Sequence, residues 1–461
     1  MDRRQQLDTE PKKRRRVGFS NVDAGIEANA CIEIYLVSSK EEVGAPDSFR
    51  LSPVDLNSFF EDDDGKIYGY KGLKITIWIS IISFHSYADI AFQSKSDGGK
   101  GITDLKSALQ RILAETIVDN KDDFLQTFST ESHFVRSIVS SGEILPHKVS
   151  NGYAGNTNSL LQEASSDVKV VRMLIANAAT GHLYSRVIPL VLLLVDGSNP
   201  IDVADPGWEL YVLIQTKNDE QGAEQDLLLG FMAVYRFYHY PDSSRLRLGQ
   251  ILVLPPYQKK GYGGHLVEVL GNVAMAEDVY DLTVEEPLED FQRVRTCVDI
   301  RRLLHFDPIK DAVQSTVSQL THGKLTKKTN VPRFIPPSTV IEEVRKALKI
   351  NRKQFLQCWE VLIYLGLNPV DKHLDDFVTV IASRVKADIL GKDSGNGGKE
   401  VIEVPSNYDP EMSFVMFRSQ NGEGAGVQME ENQAKQEEQI QQLVDERVKE
   451  IKLIAQKVQH V

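Results

Sequence analysis

Cysteine is scarce in this chain: 461 residues hold three, Cys31, Cys297 and Cys358, and no two fall in a CxxC spacing. That excludes a zinc ribbon and a disulfide framework and suits a reducing compartment. The ten histidines show neither HxxxH nor HExxH spacing, so no metal is expected in the chemistry. No glycine-lysine pair is followed by serine or threonine, which removes a Walker phosphate loop. Long apolar runs are missing too. The longest, Val187–Val195, is far too short to span a bilayer and contains Pro189. The first 25 residues are polar and charged, so no secretory leader is expected. Membrane and secreted classes are thereby disfavoured, and a chain of this length predicts roughly two to three soluble domains.

The charge is unevenly placed. The net is −12, yet residues 1–17 carry seven lysines or arginines against three acidic residues, +4, which leaves −16 on the remainder. An acidic body disfavours broad contact with nucleic-acid phosphates and attracts basic partners; the same charge also serves plain solubility. No direct DNA binding is expected. Pro11 followed by Lys12, Lys13, Arg14, Arg15 and Arg16 has the form of a monopartite nuclear localisation signal within a basic tail, residues 1–27. Nuclear import is the expectation this run gives.

Ordered structure is expected from residue 28. Ile32, Ile34 and Leu36 alternate as in a strand, Ile67–Ile82 reads as a hairpin broken at Gly72, and Leu105, Leu109, Ile112 and Leu113 mark an amphipathic helix, giving an α/β domain over 28–150. The stretch 165–292 reads helix, strands, helix, strand. Its strands are Trp208–Gln215, Leu227–Tyr238, Leu246–Leu254 and Val279–Glu285, with a helix from Gly263 between the last two. From Arg293 to 390 the pattern is helical. Thr339 to Glu342 has capping-box spacing, Asn351 caps a second helix and Gly366 ends it. Residues 391–429 form a Gly-rich linker. Residues 430–461 carry Val444, Val448, Ile451, Ala455 and Val458 at heptad spacing, as a helix that docks a partner, folds back, or stays solvated.

The segment Gln258-Lys259-Lys260-Gly261-Tyr262-Gly263-Gly264 carries the chemistry. It follows a strand directly and opens an amphipathic helix. Glycines allow a tight turn and close approach to a ligand, and the free N–H groups of a helix start face anions, so a pyrophosphate is the natural occupant. The glycine spacing does not fit a dinucleotide fingerprint.

Strand, QxxGxG, helix, strand resembles motif A of the GNAT acetyltransferases. Gly230–Pro241, Gln250–Gln258, Asp281–Pro287, Gly69–Ile75 and Ile201–Val203 ahead of Trp208 are similar to the catalytic subunits of type B histone acetyltransferases. The resemblance covers roughly residues 30–385. It implies a mixed α/β (α+β) architecture, with a central GNAT domain flanked by the N-terminal α/β domain and the C-terminal helices. It also implies acetyl-CoA as co-substrate, with no metal. Ile251, Leu252 and Val253 would then hold the pantetheine arm and Gln258–Gly264 the pyrophosphate. Lys259 and Lys260 either pair with the phosphates or are solvated.

Acetylating a lysine requires its neutral amine, and a free lysine has a pKa near about 10.4, so a base is needed. Period 2 puts Asp281, Thr283 and Glu285 opposite Tyr280, Leu282 and Val284. The family's general base aligns with Glu285 rather than with Glu286. The resemblance puts contacts to a histone H4 tail at Asp62, Asp63 and Asp64, and at Tyr235, Arg236 and Phe237. Trp208 either walls the lysine channel or is a core residue. Cys297 reads as a buried structural thiol. The implied activity is acetyl transfer to free, newly made histone H4 alongside a WD40 β-propeller partner. Acetylation of other basic proteins or polyamines, and a non-catalytic histone-binding scaffold, are the alternatives.

Overall fold

The computed structural model describes residues 24–63, 65–146, 167–218, 222, 224–322, 334–367, 371–390 and 426–459. The basic run Lys12–Arg16, Asp64 and the Gly-rich stretch Gly391–Gly398 lie outside them. The chain divides into two compact units: residues up to Val135 with His182–Ile201, and Arg136–Gly181 with the chain from Asp202 onward. These boundaries differ from the expected breaks at 150 and 165. Residues 143–145 pair into the second unit's sheet, and much of one helix belongs to the first unit.

The first unit is built on a four-stranded sheet of β1 (Ile32–Val37), β2 (Phe49–Leu51), β3 (Lys74–Ser80) and β4 (Ser86–Ala91), in the order β2-β1-β3-β4. Ile75, Ile77 and Ile79 are buried at alternate positions of β3, as period 2 requires. The hairpin joins β3 to β4 through Phe84 (φ +59°), later in the chain than expected, and Gly72 (φ +65°) precedes it. Helix α1 (Leu105–Leu113) starts at Asp104, whose carboxylate accepts from the N–H groups of Lys106 and Ser107. Helix α2 (Lys121–Thr130) is capped in the same way by Asn120. Helix α3 (Ala178–Leu194) contributes Leu183, Val187, Leu190 and Val191 to the buried side chains of this unit.

The second unit holds a six-stranded sheet. Strands β5 (Glu143–Leu145), β6 (Val168–Leu174), β7 (Trp208–Asn218), β8 (Glu224–His239) and β9 (Ser243–Val253) run antiparallel in sequence order. The 165–292 stretch therefore opens on a strand, not on a helix. Helix α4 (Tyr262–Ala276) then crosses over to β10 (Leu282–Val284), parallel to β9. Only three residues of the expected strand 279–285 pair. Leu266, Val269, Leu270 and Val273 of α4 cover Tyr211, Leu213, Met232, Val234, Leu246 and Leu248 on one face of the sheet.

The C-terminal helices α5 (Glu289–Leu304), α6 (Asp307–His322), α7 (Ser338–Leu348), α8 (Arg352–Gly366), α9 (Asp371–Leu390) and α10 (Gly426–Gln459) complete this unit. Their core centres on Trp359, fully buried, with its indole N–H on Phe334 O (2.8 Å). The capping box at Thr339 does not form. The helix begins two residues earlier, at Ser338 with Pro337 in the cap position and no side-chain cap, and Glu342 pairs with Arg345. Asn351 caps α8 through Gln354 N–H (2.9 Å), whereas Gly366 is the last helical residue and the chain leaves extended at Leu367. Helix α10 folds back. Val444, Val448, Ile451, Ile454 and Ala455 are buried in the same core, and each large one contributes roughly 1.5–3 kcal/mol. Arg447–Glu360 and Arg293–Glu450 (both 2.7 Å) fix its register.

Candidate active site

The sheet opens between β9 and β10. These strands pair only over Leu246–Leu248 and Leu282–Val284, and the ladder ends where Glu285 N–H bonds Leu248 O (3.0 Å). On its other side β9 stays paired with β8 to Val253, with a register shift: Ala233 faces Gln250 but Val234 faces Leu248. Gly249 is the extra residue of a bulge. Leu254 N–H bonds Leu229 O (2.9 Å), so by the alternation of an antiparallel ladder Gln250 and Leu252 address β8. The backbone groups of Ile251 and Val253 therefore address the open edge. Gln258 Nε2 donates to Val253 O there (2.9 Å) and ties the following loop to the strand end.

That loop runs through a 3-10 turn, Pro255–Tyr257, and reaches α4 by way of Lys259 (φ +61°) and Gly261 (φ +85°). Gly261 occupies the cap position in a left-handed conformation, and no side chain caps the first N–H groups of α4. A β-carbon at Gly263 would meet nothing nearer than Val253 Cγ2 at 4.0 Å, so the front of the first turn is open. Gly264 is buried, and Tyr262 packs against the core of the sheet. Lys260 Nζ lies 5.6 Å from the centre of the Tyr257 ring, and Lys259 is exposed. Uncapped amides, an open front and two lysines suit an anionic phosphate group, and the strand edge at Ile251–Val253 suits an amide-bearing chain.

Glu285 stands across this opening. Leu282 and Val284 pack toward the α4 core while Thr283 is buried on the other face, so the strand's alternation turns Glu285 away from the helix, and its side chain is exposed. Glu286 (φ +34°) turns the chain out of the strand. The Glu285 carboxylate meets an aromatic wall at Gly249. A β-carbon there would lie 3.6 Å from Glu285 Oε2 and 2.8 Å from Trp208 Cη2. Tyr235 sets its ring edge-on to Trp208 (5.1 Å between centres), Phe237 adjoins Tyr235 (4.4 Å), and Arg247 covers Phe237 (4.5 Å). A hydrogen bond to Asp205, followed by burial, pushes the Tyr235 phenol above its ordinary range. Gly207 lets that ring lie close, since a β-carbon would stand 2.7 Å from it. A carboxylate beside flat aromatic faces suits the stem and amine of a lysine.

Arg236 does not join this group. Its neighbours Tyr235 and Phe237 face Trp208, so Arg236 faces the other side of the sheet. It bonds Glu209 (2.8 Å), Glu277 (2.7 Å) and Ser244 (3.1 Å) there. Arg172 contacts the same two glutamates. Glu209 is buried and accepts from Tyr211 Oη (2.8 Å); burial and that carboxylate push the Tyr211 phenol well up. The side chain of Arg236 is thus committed to a structural network.

Asp62 and Asp63 end a 3-10 segment, Asn57–Asp63, in the first unit. Cys297 is buried, and burial raises its thiol, as expected of a structural cysteine. Sequence reasoning missed Gly249, Gly207 and Asp205. A glycine inside an alternating strand, as at Gly249, is the signal that could have marked the bulge. Among the described residues no group of His, Cys, Asp and Glu is arranged to hold a metal, and no helix is long and apolar enough to cross a membrane.

Comparison with known proteins matches residues 24–196 to a family described as "Histone acetyl transferase HAT1 N-terminus" and residues 202–292 to "Acetyltransferase (GNAT) family". A protein of Arabidopsis thaliana named histone acetyltransferase type B catalytic subunit is 59% identical over 452 residues, 98% of this chain and 96% of its own. A Zea mays protein of the same name is 46% identical over 455 residues, 98% of this chain and 94% of its own.

Proposed function

Because the chain belongs to the family of histone acetyltransferase type B catalytic subunits, we propose that it acetylates lysines in the tail of free, newly synthesised histone H4, with Glu285 as general base. The observation that carries this reading is the meeting of Glu285, Gly249 and Trp208 beside the unpaired edge of β9. As a member of this family the chain is an acyltransferase carrying a GNAT domain.

Acetyl-CoA fits the residues present and supplies an activated acyl thioester. The loop Gln258–Gly264 would hold its phosphates at the uncapped start of α4, and Ile251–Val253 would bond its amide-bearing arm. The chain's own work is then threefold. Trp208 and Tyr235 hold the lysine stem. Glu285 accepts the ammonium proton, which leaves a nucleophilic amine. The outward N–H groups at Ile251 and Val253 offer donors to an oxygen that gains negative charge in the transition state.

Substrate choice rests on charge. The run Glu61–Asp64 brings four acidic residues to a lysine-rich tail, and an overall charge of −12 favours a free basic protein over one already wrapped in DNA. A WD40 β-propeller histone-binding subunit is the partner this reading implies. Lys12–Arg16 serves nuclear entry and leaves the chain in both nucleus and cytoplasm.

The test uses the full chain with radiolabelled acetyl-CoA, given equal amounts of free core histones or nucleosomes. Label should enter free H4 and leave nucleosomal H4 nearly unlabelled. Equal labelling of both, or labelling of polyamines in preference, overturns the assignment. Reversing Asp62, Asp63 and Asp64 to lysine should raise the peptide KM and spare that for acetyl-CoA.

A further inference from the structure

Strand β10 leads directly into Glu285 but is only three residues long, and its ladder with β9 covers just those three. Flanking hydrogen bonds to β9 add Tyr280 N–H on Ser244 O (2.7 Å), Leu246 N–H on Asp281 O (3.2 Å) and Glu285 N–H on Leu248 O (3.0 Å). The outer edge of β10 is held by another part of the same unit, the link between α7 and α8. Leu282 N–H bonds Lys349 O (2.8 Å), and Ile350 bridges Leu282 in parallel fashion. Leu282 O accepts from Asn351 Nδ2 (3.0 Å) and from Arg295 Nη2 (3.3 Å). Both backbone groups of Leu282 are thus taken up on the side away from β9.

Asn351 is the pivot of this arrangement. Its Oδ1 accepts from Gln354 N–H and caps α8, while its Nδ2 reaches Leu282 O. A carbonyl can only accept and an N–H only donate, so the two partners define which end of the amide is which. Lys349, buried apart from a sliver and left-handed at φ +59°, turns the chain from α7 into this link and pairs with Asp278. The link holds β10 from its outer side at Leu282, while Glu285 N–H bonds Leu248 O on the inner side. β10 is thus anchored on both edges directly before Glu285.

We propose that Asn351 is a positioning residue for the acetyl-transfer reaction: it fixes the strand that presents Glu285 by holding the Leu282 carbonyl. This rests on the reading of Glu285 as the base. A base displaced by about 1 Å can cost on the order of 10²-fold in rate, so a single side-chain hydrogen bond three residues away is a sufficient lever.

The test compares Asn351→Asp, Asn351→Ser, Glu285→Gln and the double variant E285Q/N351D in the full chain. Aspartate and serine both keep an oxygen for the α8 cap. Aspartate places a second oxygen against Leu282 O, and serine has no second arm. Both should keep a near wild-type thermal midpoint and an acetyl-CoA KM within about twofold, while the single-turnover rate falls at least tenfold. In the E285Q background N351D should cause no further loss, because the residue acts through the base. A structural weakening alone would add its loss to that of E285Q, and that result overturns the proposal. So does a wild-type rate in N351D or, should N351D fail to fold, in N351S. If E285Q itself turns over normally, the base assignment fails and the tether falls with it. If E285Q is crippled and N351D is normal, only the tether falls.

Discussion

Trp208 packs its indole against Gly249, where a β-carbon would stand 2.8 Å from Trp208 Cη2 and 3.6 Å from the Glu285 carboxylate. Gly249 is also the bulged residue of β9, the point at which β9 and β10 part. One missing side chain thereby serves two ends: it brings an aromatic wall up to the carboxylate and lets the strand bend open.

Filling that space is the first expectation. Gly249→Val would drive a branched side chain into the indole and toward Glu285. The wall has to move, and kcat/KM for a histone peptide should fall on the order of tenfold or more. Acetyl-CoA affinity by calorimetry should change far less, since the loop Gln258–Gly264 keeps its conformation. Unchanged peptide kinetics would show that Trp208 does not line the path of the lysine.

Gly263 tests the cofactor loop. The nearest atom to a β-carbon there is 4.0 Å away, and valine is no poorer a helix former than glycine, so Gly263→Val should fold normally. The new side chain would occupy the open front of the first turn of α4. Acetyl-CoA binding should drop below detection by calorimetry, and a normal affinity would mean that the phosphates lie elsewhere.

Acid stability should carry the mark of Glu277. Burial works against its ionisation, but hydrogen bonds from Arg172 and Arg236 outweigh this and hold the carboxyl below its ordinary range. A depressed folded-state pKa stabilises the protein fully above the unfolded value of about 4.3 and loses that contribution as pH falls through the folded value. Chemical denaturation from pH 7 to 3 should therefore show a steeper loss in the wild type than in Glu277→Gln. Parallel curves would remove the network of Arg172, Glu209, Arg236 and Glu277 from the account of the fold.

Much of this site was legible in the sequence because its parts are local. Glycine and proline punctuate Pro255–Gly264, and the parity of Leu282, Thr283 and Val284 settles which way Glu285 turns. Parity also separates Arg236 from Tyr235 and Phe237, a consequence the family likeness obscured. The bulge at Gly249 was not legible, since a register shift depends on what the neighbouring strand does. The cap at Thr339 failed because Pro337 sets the chain direction two residues earlier and the helix starts from there. Heptad spacing in α10 could not distinguish a partner from the chain's own helices. The difference lies in Glu360 and Arg293, which wait 87 and 157 residues away in sequence from their partners Arg447 and Glu450.

The central claim is that Glu285 takes the proton from the substrate lysine. It is tested most directly by the single-turnover rate of Glu285→Gln with an H4 tail peptide and saturating acetyl-CoA, measured from pH 7 to 10 beside Glu286→Gln. Glu285→Gln should be slowed about 10²–10⁴-fold at pH 7. It should recover part of its rate as pH approaches the free lysine value of about 10.4, and bind acetyl-CoA normally throughout. Glu286→Gln should lose much less, because the chain has turned out of the strand at that residue. A Glu285→Gln enzyme with a near wild-type rate at pH 7, or a Glu286→Gln enzyme that is the more impaired of the two, would contradict the assignment.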